Sequence, residues 1–318
     1  MECSGYRRSP CRRSGDIDEE FGRKPSGRQL PKRKSELDAE FIPGDLPPRS
    51  PAVKSDNEIF TPPFIGSRVA KGIALDEIVA YLNETALFRN QWGYRPENGE
   101  TDLEFKSRVR SELRMRLDEA KANGVLIPQV VWGYYPANSD GDKVIVFRDE
   151  TRTEIATTFS FPRQKKDPFL CIADFFKSQE EGPDYIGLIV VSMGEKASVV
   201  AKKYFDDNKY LDYVQLHGLS VETTEALMEL WHYRMRQEWG FADQDGPTLT
   251  GLFRQQYRGG RYSFGYPACP DLGDNAKVVQ VLQAGRIGVS LSEEDQLEPE
   301  QTTLAIVCHH PQAKYFVA

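Results

Sequence analysis

Past Ile59 the apolar positions of the chain alternate between helical stripes and short apolar runs. In ALDEIVAYLNETALFRNQW, Leu75, Ile78, Val79, Leu82, Ala86 and Trp92 fall on one helical face, with Asp76 in the first turn. TDLEFKSRVRSELRMRLDEAKANG predicts a second helix. Thr101 and Glu104 have capping-box spacing, Leu103, Val109, Leu113, Leu117 and Ala120 form its stripe, and Gly124 stops it. QVVWGYYP and DKVIVFRD predict a hairpin turning through ANSDGD, and RTEIATTFSF predicts a third strand. DYIGLIVVS is apolar almost throughout, as a central strand covered on both faces would be. Helices are predicted in GEKASVVAKKYFDD, SVETTEALMELWHYRMRQEWG and NAKVVQVLQ, and closing strands in TTLAIVCHH and KYFVA. A hairpin, mixed strands and long helices without a regular strand–helix–strand repeat predict an α+β domain, not a doubly wound sheet.

That domain is expected over residues 57–318. Residues 1–56 read as a basic, proline-rich leader and linker. Residues 1–34 carry ten Lys/Arg against five Asp/Glu, and FIPGDLPPRSPAVKSD follows. So few large aliphatics cannot bury enough surface to offset chain entropy. The whole 318-residue chain has a net charge of −7, which argues against a nucleic-acid partner. No apolar run is long enough for a membrane span, and the N-terminus lacks the apolar core of a secretory signal. Five scattered cysteines suggest no disulfide framework, so a cytoplasmic protein without a membrane partner is expected.

Several familiar chemistries are missing. IVVSMGEKASVV has the strand–glycine–helix order of a nucleotide turn but not its later glycines, and GRKPSGR lacks the Lys-Ser/Thr of a phosphate loop. CHHP invites a metal reading, yet adjacent strand residues point to opposite faces and no second ligand pair lies at the right spacing. Cys171 sits in apolar LCIADFF as a small core residue, and Cys269 has no base nearby in sequence.

One stretch resists any periodic reading. RGGRYSFGYPACPD, Arg258 to Asp271, holds three glycines, two prolines, three aromatics and two arginines. Arg261 offers a planar fork for a carboxylate, Gly265 lets backbone approach a ligand, and Tyr266 combines an apolar ring with a polar tip. The composition suits a zwitterionic, amino-acid-like ligand. It equally suits a stiff surface turn whose Arg261 pairs with a protein carboxylate.

RYSFGYPACPD closely resembles the RxxxGYPACP signature of the C-terminal activation domain of cobalamin-dependent methionine synthase. GYYPAN with RDETRT, then CIADF, DYIGLIVVS and HPQAKYF, resemble further segments of that family in the same order, over about Thr61 to Ala318. The resemblance implies a single C-shaped α+β domain with a twisted, mainly antiparallel sheet flanked by helices. It implies a module that binds S-adenosyl-L-methionine and docks on a cobalamin-binding domain. There, with one electron from a flavodoxin-like or other reductase, inactive cob(II)alamin returns to methylcobalamin. Carried over by position, Arg261 matches the arginine that holds the ligand carboxylate. Ser263, Gly265 and Tyr266 match neighbours on the same loop, Tyr315 and Phe316 the paired aromatics near the C-terminus, and Glu225 an acidic residue near the ligand's positive end. Asn83 stands where well-known members have aspartate, and Gln255 where some have glutamate. Both departures remove negative charge near a cationic ligand.

No Asp-x-His-x-x-Gly cobalamin motif and no zinc-binding cysteine set accompanies these segments. Cobalamin is therefore expected on a partner domain or chain. The protein is expected to be one part of a methyltransferase system in methionine biosynthesis, as a separate subunit or a piece of a longer enzyme. Two rivals are a degenerate domain that only docks on a cobalamin protein and a free-standing small-molecule methyltransferase.

Overall fold

The computed structural model describes residues 46–318. Its strands are β1 Gly66–Lys71, β2 Gln129–Asp140, β3 Lys143–Phe147, β4 Ile155–Ser160, β5 Tyr185–Ser192, β6 Gly260–Tyr262, β7 Ser290–Leu291, β8 Leu297–Glu298 and β9 Thr302–Cys308. Its α-helices are α1 Leu75–Val79, α2 Asp102–Ala122, α3 Glu195–Asp206, α4 Tyr210–Trp239, α5 Leu249–Phe253 and α6 Asp274–Leu282. The main sheet runs β4-β3-β2-β5-β9-β6, with β1 also on β2, and its pairings are antiparallel. The expected α+β class with a mainly antiparallel sheet is what the chain adopts.

Strand β5 sits between β2 and β9, and all eight of its residues are buried. Ile189 and Val191 face one core with α2, α3 and α4; Ile186, Leu188 and Val190 face a second core with α6 and the loop 171–176. The apolar run is thus a strand covered on both sides.

Long β2 serves two partners on one edge, β1 along Gln129–Tyr134 and β3 along Ala137–Asp140. The hairpin turn is consequently shorter than the pattern predicted, with only Gly141 and Asp142 between the paired Asp140 and Lys143. Asn138 and Ser139 read as turn residues because they are polar, but the loop after residue 175 satisfies them inside the sheet. Asn138 Nδ2 donates to the carbonyls of Lys177, Ser178 and Gly182, and Ser139 Oγ to that of Phe176.

Helix α2 starts with the predicted capping box of Thr101 and Glu104. Its buried stripe is Phe105, Val109, Leu113, Leu117 and Ala120; Leu103, expected in it, is 72% exposed. Six residues before Val109 is not a whole number of helical turns, so Leu103 falls off the stripe. The helix predicted over 74–92 is broken into α1 and a π-helical turn, Ala86–Gln91, because Asn83 Oδ1 accepts the Ala86 N–H and starts a new turn. Helix α4 begins ten residues before the predicted Ser220. The predicted strand in KYFVA is not one: Phe316 anchors an irregular tail in the second core, and Lys314 Nζ donates to the carbonyls of Gln255 and Tyr257.

Residues 49–54, assigned to the linker by composition, pack on the domain. Arg49 donates to Glu181 and to the Asp174 carbonyl, and Ser50 and Val53 are buried. The rest of the predicted leader, through residue 45, lies outside the described residues. Among the described residues no helix is long and apolar enough to cross a membrane. The CHHP histidines are structural here. His309 Nε2 lies 2.8 Å from Asp184 Oδ1, His310 Nε2 lies 2.9 Å from the Lys54 carbonyl, and both are 2% exposed. No metal-holding cluster occurs among the described residues.

Candidate functional site

The site is built where the short edge strand β6 meets helix α4. Gly259, with φ of +83°, brings the chain onto β9 so closely that a Cβ there would lie 2.4 Å from the Cys308 carbonyl oxygen. Three residues then pair with β9, and their alternation sends Tyr262 into the second core and Arg261 to the opposite face, against α4.

Arg261 Nη1 donates to Glu229 Oε2 at 2.7 Å and lies 3.4 Å from His232 Nδ1. The arginine therefore does pair with a protein carboxylate, the plainer of the two readings its loop allowed. That pair does not close the site. The Arg261 side chain stays 22% exposed, against 7% for Glu229. It lines a concavity of about 250 Å³ together with Tyr81, Asn83, Glu222, Glu225, Ala226, Glu229 and Phe253.

Three carboxylates against one guanidinium give this hollow a negative balance. Burial raises the Glu222 carboxyl above its ordinary pKa; a hydrogen bond from Gln91 works against the shift and the charge of Glu225 adds to it. Glu225 reaches solvent, yet the surrounding protein crowds it and raises its pKa, opposed by Arg261 and assisted by Glu229. His232 is fully buried, and burial with the charges of Arg236 and Arg261 holds it well below the usual imidazole range, hence neutral.

Past Arg261 the chain folds on itself. The Gly265 N–H donates to the Cys269 carbonyl, the Cys269 N–H to the Tyr266 carbonyl, and Cys269 Sγ to the Ser263 carbonyl. Pro267 lies inside that turn, so its shape is set without a ligand. Ser263 and Tyr266 line a larger groove of about 950 Å³ with Glu195, Lys202 and the segment around Pro299. Tyr266 is 57% exposed and meets the exposed Tyr315 edge-on, with ring centroids 6.5 Å apart. The Tyr315 N–H lies 3.5 Å from Gln255 Oε1.

Of the residues singled out from sequence, Asn83, Glu225 and Arg261 share one concavity, Ser263 and Tyr266 share the adjoining loop's groove, and Tyr315 stands against Tyr266. Phe316 stands apart. Its ring is 8% exposed and packs on Phe175 and Tyr262 in the core. Sequence reasoning missed Glu222, Glu229 and His232. Glu222, Glu225 and Glu229 are spaced i, i+3, i+7, so an acidic stripe on one face of the helix is the available signal.

The three cysteines among the described residues are buried. Burial pushes the thiols of Cys171, Cys269 and Cys308 up to about 12. A thiol held protonated and shielded reacts slowly. At pH 8 a disulfide reagent should leave these three of the five thiols untouched in the native protein, and titrate them only after denaturant is added.

Three comparisons bear on this arrangement. Residues 74–318 match the family described as vitamin B12 dependent methionine synthase, activation domain. The chain is 42% identical over 291 residues to the methionine synthases of Mycobacterium tuberculosis and of Mycobacterium leprae, covering 86% of this chain and 24% of each relative. It thus spans about a quarter of their length. Among solved structures it is similar to the MetH reactivation domain bound to AdoHcy, with a TM-score of 0.76 and 25% identity over 83% of this chain and 84% of that one. With a match that runs through helix α4, the Arg261 loop and the C-terminal tail alike, the chain belongs to the activation-domain family of vitamin B12 dependent methionine synthase.

Proposed function

We propose that the chain binds S-adenosyl-L-methionine in the concavity beside Arg261 and serves as the reactivation module of a cobalamin-dependent methionine synthase. The observation that carries this reading is the guanidinium itself. It is fixed at one nitrogen by Glu229 and open on its other edge, at the mouth of a hollow rich in carboxylates. That edge suits a carboxylate, while Glu225 and Glu222 suit the ammonium and sulfonium charges of the same ligand. The exposed edge-on pair of Tyr266 and Tyr315 offers ring faces to a cation, and Ser263 and Gly265 offer backbone along the loop. Asn83 lines the same wall without a charge. Phe316 supports the tail from the core, packed on Phe175 and Tyr262 behind the exposed Tyr315.

When bound, S-adenosylmethionine supplies the methyl group that, with one electron from a flavodoxin-like or other reductase, would convert cob(II)alamin on a partner domain or chain to methylcobalamin, its S–methyl bond breaking so that S-adenosylhomocysteine leaves with the electron pair. This chain's part is to hold the amino-acid end so that the methyl faces outward, which replaces a chance encounter by a fixed approach. The likeness to a reactivation domain bound to AdoHcy supports the ligand class.

Anaerobic mixing with a cobalamin-domain protein, S-adenosylmethionine and a reductant tests the proposal. Methylcobalamin should form, seen in the absorption spectrum. A cob(II)alamin spectrum that persists although the two proteins are docked contradicts methyl transfer and leaves a docking domain.

The raised carboxyl pKa values give the binding a pH dependence. A cation is attracted by ionised Glu222 and Glu225, and groups shifted upward take up protons at a higher pH than ordinary carboxylates do. Affinity should therefore be greatest at neutral to mildly alkaline pH and fall as pH drops through the raised range. Calorimetry between pH 8 and pH 5 reads this, and a flat profile would remove the two glutamates from the account.

A further inference from the structure

We infer that Glu229, with His232 beside it, is a positioning residue for Arg261. Together they hold one nitrogen of the guanidinium against helix α4, so that the opposite edge meets the concavity in the orientation a carboxylate needs. The inference rests on the proposal that the amino-acid end of S-adenosylmethionine binds there, and it adds a residue pair that sequence resemblance did not single out.

The hydrogen bonds of Arg261 to described residues leave from Nη1 alone, toward Glu229 Oε2 and His232 Nδ1. Nε and Nη2 remain for a ligand. A long side chain on a three-residue edge strand samples many rotamers unless something pins it, and freezing those rotamers weakens ligand binding. Helix α4 supplies the pin, because Glu229 is 7% exposed and His232 fully buried on a thirty-residue helix packed across the sheet. A neutral imidazole can accept from Nη1, whereas a charged one 3.4 Å away would repel it; burial and the charges of Arg236 and Arg261 keep it neutral. Glu229 Oε1 and His232 Nε2 are both buried without a partner among the described residues. Unpartnered buried polar atoms are costly, and the fold bears that cost at the two groups that meet Arg261. Glu225, in contrast, lies open at the rim, where a ligand can reach it.

Calorimetry with S-adenosylmethionine and with its decarboxylated form tests this, using Glu229→Ala, Glu229→Gln, Arg261→Ala and the Glu229→Ala/Arg261→Ala double variant. Contacts that act through a shared partner are non-additive, so Glu229→Ala should weaken S-adenosylmethionine binding about tenfold yet add no further loss once Arg261 is gone. Glu229→Gln keeps an acceptor oxygen and the shape of the site, and should lose only about threefold. Binding of the decarboxylated ligand should change by less than about twofold in either Glu229 variant, since it has no carboxylate for Arg261 to hold. The inference is overturned if the Glu229 variants bind S-adenosylmethionine as the parent does, if both ligands weaken equally, or if the losses multiply in the double variant. Should Glu229→Ala unfold, Glu229→Gln carries the test alone. Failure of the parent to bind, or an Arg261→Ala that binds normally, sinks the ligand proposal itself. Loss in Arg261→Ala with intact binding in the Glu229 variants sinks only the positioning role.

Discussion

Arg261→Ala should weaken S-adenosylmethionine binding about a hundredfold in calorimetry, because truncating one partner of a hydrogen-bonded, largely desolvated charge pair costs about 2–5 kcal/mol. The loss has two sources. The ligand carboxylate loses a planar fork, and Glu229, 7% exposed, is left in the site without its cation. Arg261→Lys separates them. Lysine keeps the charge near Glu229 but cannot present two parallel N–H groups, so binding should stay about tenfold weaker than in the parent. Equal affinity in the parent and Arg261→Ala would mean that the arginine serves the fold alone, as the counter-ion of helix α4.

Gly259→Ala should be the most damaging single methyl near the site. Its φ of +83° disfavours any side chain, and the new Cβ would lie 2.4 Å from the Cys308 carbonyl oxygen and 3.2 Å from the His309 Cα. Adding about 1–2 kcal/mol for the left-handed backbone to about 1–3 kcal/mol for overpacking gives a loss near 3 kcal/mol. Thermal unfolding should shift down by roughly 8 °C for a domain of this size. Because Arg261 follows two residues later on β6, pushing that strand off β9 also misplaces the guanidinium, and ligand affinity should fall with stability. Gly285→Ala is the control, since an added methyl there meets no atom within 4 Å. A Gly259→Ala protein as stable as Gly285→Ala would show that β6 and β9 are held less tightly than their geometry implies.

What sequence patterns could reveal was set by how local the causes were. The capping box of Thr101 and Glu104 spans four residues, and the central strand β5 needs nothing beyond its own apolar run; both were legible. Leu103 and the KYFVA tail mislead because an apolar residue near a stripe looks like part of it, and a buried aromatic in an irregular tail looks like a strand. Asn138 and Ser139 look like a turn in sequence because their satisfying partners lie about forty residues away. The Arg261 loop announced itself by composition, and resemblance gave its residues roles. The pairing of Arg261 with Glu229 joins positions 32 apart, and that of Tyr266 with Tyr315 joins an internal loop to the tail. No periodicity encodes such contacts, and only the folded sheet and helix α4 bring them together.

A crystal structure of the chain with S-adenosylmethionine or AdoHcy soaked in tests the central claim most directly. The account predicts the ligand carboxylate within hydrogen-bond distance of Arg261 Nε and Nη2, the bond from Nη1 to Glu229 intact, and the amino group toward Glu225. A ligand bound elsewhere, with the hollow beside Arg261 filled only by water, would contradict it.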